Sequence, residues 1–140
     1  MGITISSKRF SADLGYAGFQ RFRNIVAEKI SKEFHEHYIS MDTPTAMFLS
    51  GEKRIKFFTE YDKITKVFVE QKEIPIEIAN FLYQSDCQGK IDEKQAMQIF
   101  KLIENCDDNI SFGYSGRIDC AKMSDFKKIF SDKTKIEWCW

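Results

Sequence analysis

Two short phrases in this chain carry residues that could hold an anion. They are Gly15-Tyr16-Ala17-Gly18, followed by Arg21 and Arg23, and Gly113-Tyr114-Ser115-Gly116, followed by Arg117 and Asp119. Glycine lets the backbone turn sharply and lets another group come close to its amide. Tyrosine adds a flat apolar body with one polar tip. An arginine fork matches a phosphate or carboxylate with two parallel hydrogen bonds. If the fold joins the phrases, Tyr16, Arg21, Arg23, Tyr114 and Arg117 would line a pocket for a phosphorylated ligand or for an acidic loop of a partner, with Asp13 and Asp119 orienting the arginines. The plainer alternative is two ordinary turns whose tyrosines cover the edge of the core.

Other constellations lack a necessary part. The stretch Gln84-Ser85-Asp86-Cys87-Gln88-Gly89-Lys90-Ile91 has the glycine and isoleucine spacing of a calcium loop between helices. Such a loop also needs several carboxylates and a bidentate glutamate at its twelfth position. Aligned on Gly89, the first, fifth and twelfth positions are Gln84, Gln88 and Gln95. Asp92 and Gln95 read instead as the capping box of the next helix, so we expect a capped helix–turn–helix without calcium. His35 and His37 do not share a helix face, no third ligand stands nearby, and we expect no metal site. Asp107 and Asp108 read as solvated acids in a polar turn rather than as an acid–base pair. There is no nucleophile elbow, no phosphate-binding loop and no dinucleotide fingerprint. Trp138 and Trp140 could stack on bases, but a tail of this kind more often closes a core.

The elements that must position these residues follow from periodicity. Residues 2–7 alternate and read as a strand. Phe19, Phe22, Val26 and Ile30 recur at helical spacing, with Phe34 continuing the stripe and Arg21, Arg23, Lys29 and Lys32 mostly off it. Thr43 and Pro44 mark the start of a short helix that Gly51 should end. A long helix is predicted over 52–71 with the stripe Phe58, Tyr61, Thr65, Phe68, although Val67-Phe68-Val69 could be a strand. Pro75 opens a helix carrying Ile78, Phe81 and Leu82. Asp92 caps another with Ala96, Ile99, Phe100 and Ile103 inward. Residues 110–114 read as a strand leading into the second Gly-Tyr phrase. Met123, Phe126, Ile129 and Phe130 mark a last helix, and 135–140 a last strand with Trp138 and Trp140 on one face. No linker divides the pattern. We expect a single compact α+β domain over residues 1–140, mostly helical, with a small antiparallel sheet built from 2–7, 110–114 and 135–140.

Composition narrows the classes. The chain has 140 residues, enough to bury a core, and 13 of them are phenylalanine. Basic and acidic residues balance at 21 each, which argues against a dedicated nucleic-acid-binding domain. Four cysteines, Cys87, Cys106, Cys120 and Cys139, contain no C-x-x-C spacing. The first nine residues lack an apolar core, so we expect no export, free thiols and a cytoplasmic location. The Asn109-Ile110-Ser111 sequon would then carry no glycan. The start fits a myristoylation pattern, with Gly2 and Ser6 in place, but a short strand explains it as well. No apolar run is long enough to span a membrane.

Together, Gly15-Tyr16-Ala17-Gly18-Phe19, Ser85-Asp86-Cys87-Gln88-Gly89-Lys90-Ile91 and Gly113-Tyr114-Ser115-Gly116-Arg117-Ile118-Asp119-Cys120-Ala121-Lys122 resemble an uncharacterised group of small bacterial or phage-derived hypothetical proteins. The resemblance covers most of the chain. It implies a bacterial cytosolic origin and no known substrate, cofactor or catalytic residue. The expectation that emerges is a binding module rather than an enzyme, without a cofactor, whose partner is another protein. A small activity or binding site for an anionic ligand at the Gly-Tyr loops is the alternative. Nucleic acid ranks third, on the basic face of the first helix, and no membrane is expected.

Overall fold

Ile3 and Ile5 alternate with Thr4 and Ser6, and this period of two puts both isoleucines into the core as strand β1 (Ile3–Ser6). The computed structural model describes residues 2–113 and 121–140. It is an α+β fold with a four-stranded antiparallel sheet. A tight turn, closed by the Ser7 N–H donating to the Phe10 carbonyl at 2.8 Å, folds β2 (Ser11–Leu14) back on β1. On its other side β1 pairs with β4 (Ile136–Cys139), and β4 pairs with β3 (Gln88–Ile91). The order is β2-β1-β4-β3, so the two terminal strands are the central pair.

Asp132 staples the sheet's hairpin to the chain just before β4. Its carboxylate accepts from Ser7 Oγ, the Arg9 N–H and Arg9 Nε. Burial alone would raise its pKa, but these donors outweigh burial and hold the group below the usual carboxylate range.

Two strands differ from expectation. Residues 88–91, expected in the turn between helices, enter the sheet, as do residues 11–14, which carry no strand signal of their own. Conversely, of the segment expected as a strand at 110–114, residues 110–113 do not join it. Ser111 makes an isolated bridge to Lys122, and the Phe112 N–H donates to the Ala121 carbonyl. Gly113 then leaves this short ladder with φ of +154°, a conformation that favours glycine.

The helices cover one face of the sheet. In α1 (Tyr16–Ile30), Phe19, Phe22 and Val26 are buried. The stripe does not run on through Phe34 in one helix. Ser31 is extended, and its hydroxyl accepts from the Phe34 N–H, which starts α2 (Lys32–Ile39). Thr43 caps α3 (Pro44–Met47). Gly51 opens rather than ends a helix: at φ +60° it is the first residue of α4 (Gly51–Glu70), and residues 67–69 are helical. α5 is Ile76–Tyr83. The expected capping box of Asp92 and Gln95 starts α6 (Glu93–Ile103). α7 (Met123–Phe130) buries all four of its expected apolar residues.

Phenylalanine builds the centre. Phe22 stacks on Phe126 with ring centroids 4.1 Å apart and meets Phe81, Phe112 and Phe130. Trp138 reaches in from β4 against Phe19 and Phe81. Each ring withdrawn from water contributes about 1.5–3 kcal/mol. Trp138 closes the core as expected of such a tail, whereas Trp140 lies beyond the strand and is exposed.

Candidate functional site

The first Gly-Tyr phrase is the junction between sheet and helix. Gly15 follows β2 and is the N-cap of α1; Tyr16 is its first residue. The backbone of the phrase lies against Phe112 and Gly113, the residue that opens the second phrase. A Cβ built on Gly18 would stand 1.6 Å from the Phe112 carbonyl oxygen, and one on Gly113 would stand 3.8 Å from the Gly15 nitrogen. Arg21 secures the approach: its Nη1 donates to the Ser111 carbonyl at 2.8 Å, and its guanidinium lies over the Phe112 ring. Tyr114, Arg117 and Asp119 lie outside the described residues, as does Cys120.

Tyr16 stands at the surface beside Asp86 and Cys87. Partial desolvation, then the neighbouring Cys87 thiol, hold its phenol above the ordinary value. Cys87, Cys106 and Cys139 are free thiols.

Arg23 points the other way, into the core, and is 4% exposed. Its Nη1 donates to the carbonyls of Leu82 and Gln84, and its Nη2 to that of Ser85. These carbonyls belong to the end of α5 and the residues just after it, where a helix has unpaired acceptors and partial negative charge. Phe19, Phe81 and Trp138 present their rings to the same guanidinium, at 4.5, 5.4 and 5.7 Å. Arg23 is therefore an internal cap for α5.

The loop that looked like a calcium site is closed by its own side chain. Gln84 accepts from the Lys90 N–H with Oε1 and donates to the Lys90 carbonyl with Nε2. Trp138 lies over Gly89, its cross-strand neighbour, and donates from Nε1 to the Ser85 carbonyl at 2.9 Å. Of the remaining sequence candidates, Asp107 accepts from the Asn109 N–H in a turn, and Asp108 pairs with Lys127. No cluster of metal-binding side chains occurs among the described residues.

A groove of about 480 Å³ runs between α1 and the turn after α6, lined by Arg21, Glu28, Lys29, Asn105 and Asp107 among others. Its lining carries two basic and two acidic side chains.

The largest uncovered feature is α4. It has 20 residues and buries only Tyr61. Of its expected stripe, Tyr61, Thr65 and Phe68 face the body, while Phe58 meets Arg54, Phe57 and Tyr61 on its own helix. Tyr61 stacks on His37 at 4.1 Å and exchanges a 2.8 Å hydrogen bond with Tyr83 Oη. Thr65 bonds His37 Nε2 at 2.7 Å, and Phe68 packs on Phe34. Burial raises the phenol pKa of Tyr61, Tyr83 and Tyr38, the last to about 12.

Beyond this attachment the arm is bare. Phe48 is 86% exposed, Ile55 69% and Met47 64%. Ile64 and Val67 are exposed at 46% and 47%. These residues were not among the sequence candidates. Their signal was present, since Phe57, Ile64 and Val67 form a second apolar line on α4 beside the inward stripe. No helix among the described residues is long and apolar enough to cross a membrane.

Comparison with known proteins finds no matching family model, no matching curated protein and no matching solved structure.

Proposed function

We propose that this chain works by binding another protein, and that the α3–α4 arm is its docking face. The observation that carries this reading is a helix of 20 residues with one buried side chain and with Met47, Phe48 and Ile55 open to water at its N-terminal end. Exposed apolar side chains grouped on one element favour a protein contact that removes them from water. Lys53, Arg54 and Lys56 stand in the same turns, with Glu52 as the local acid. A partner bearing carboxylates beside an apolar patch fits this combination.

The anionic-ligand reading draws less support from the described residues. Arg23 spends three hydrogen bonds on backbone carbonyls, and Arg21 spends one on Ser111.

A photo-crosslinking residue at position 48, introduced in the source cells, tests the docking face. Crosslinks to one polypeptide are expected, and Ile55→Ser in the same chain should reduce them. Crosslinks no stronger than those from a probe at Trp140, exposed just beyond β4, would exclude the arm as the contact surface.

A further inference from the structure

Resting on that protein-binding reading, we propose that α4 docks against a second copy of this chain, the two α4 helices running antiparallel along Lys53, Phe57, Glu60, Ile64, Val67 and Gln71. These positions are spaced 4, 3, 4, 3 and 4 residues apart, the repeat of a helix–helix seam. At about 100° per residue the seam lies roughly a quarter turn from Tyr61, Thr65 and Phe68, which face the body. The seam is open. Ile64 and Val67 are exposed, and Phe57 meets the rings of Phe58 and Tyr61 on its own helix.

Charge selects both the partner and the direction. A parallel pair would set Lys53 against Lys53 and Glu60 against Glu60. An antiparallel pair centred on Asp62 instead sets Phe57 against Val67 of the second copy and Lys53 against its Gln71. It also brings Lys56 beside Glu70 of the second copy, twice by symmetry. Glu60 and Lys63 are paired at 3.7 Å within one helix. At the dyad the two such pairs adjoin, with four charges of both signs. Opposed helix dipoles add to the preference. The contact is confined to one helix about 30 Å long, short of the roughly 800 Å² per partner of a standard interface, so the dimer should dissociate in the micromolar range.

Sedimentation velocity from about 1 μM to about 1 mM tests this. The mass should rise from 16.4 kDa toward twice that value. Ile64→Asp with Val67→Asp should hold the protein at the monomer mass with an unchanged melting curve, because both side chains are exposed. Lys56→Glu alone should weaken association about fivefold, and adding Glu70→Lys should restore it. A monomer at every concentration overturns the proposal, as does a dimer indifferent to the Ile64 and Val67 changes. A dimer in which Glu70→Lys fails to rescue Lys56→Glu overturns the antiparallel pairing. The two readings are separable: crosslinks from position 48 to a foreign polypeptide in a strictly monomeric chain keep the protein-binding reading and remove the second copy as the occupant.

Discussion

Gly18 and Phe112 are in backbone contact: a Cβ on Gly18 would stand 1.6 Å from the Phe112 carbonyl oxygen. The contact explains why a helix carries glycine in its first turn, where alanine would favour the helix by about 1 kcal/mol. Close passage of α1 against residues 111–113 requires the missing side chain. Gly18→Ala should therefore destabilise the fold by about 3 kcal/mol, since a backbone carbonyl cannot swing aside as a side chain can. Urea unfolding measures this. A variant as stable as the parent would mean that α1 and residues 111–113 separate freely.

Arg23 carries the second prediction. Its fork bonds three carbonyls at the end of α5 while three aromatic rings surround it. Burial lowers its pKa, yet a guanidinium stays charged in proteins. Arg23→Ala removes the donor to the Gln84 carbonyl, leaves those of Leu82 and Ser85 to Tyr38 and Trp138 alone, and opens a cavity between rings, and should cost about 3 kcal/mol. Arg23→Lys should recover less than half, because an ammonium lacks the planar fork that spans the carbonyls of Leu82, Gln84 and Ser85. Equal stability of the Lys variant and the parent would refute the capping role.

Much of this fold was legible because its signals are local. The Asp92 and Gln95 capping box, the Thr43 cap and the inward faces of α6 and α7 all follow from residues a few positions apart. The missed strands at 11–14 and 88–91 are four residues each, one apolar at its end, and gain their partners only through β1 and β4. Their pairing is a tertiary effect, as is the exclusion of residues 110–113 from the sheet. Arg23 shows the same limit at the candidate site. It sits two residues from Arg21 in sequence, yet one faces the core and the other the 111–113 segment. Nothing in their composition distinguishes them; only the location of the α5 carbonyls does.

The attachment of α4 yields the last prediction. His37 is held between the rings of Tyr61 and Phe68 and hydrogen-bonds Thr65, so it joins α2 to the arm. Burial lowers its pKa below the ordinary imidazole value. The folded state thus prefers neutral His37, and the detached state binds the extra proton more readily. Between the folded pKa and about 6.5, stability must rise with pH. The contribution is fully present above about 6.5 and is lost as pH falls toward the folded value. Because Tyr61 is the one buried residue of α4, the loss should appear first as local opening of this helix. Amide hydrogen exchange within α4, corrected for the intrinsic effect of pH, should accelerate between pH 7.5 and 5 relative to α6 and α7. His37→Gln, which cannot take up the proton, should remove the difference. Uniform protection of all three helices across that range, or an unchanged acceleration in His37→Gln, would show that His37 does not control the attachment of the arm.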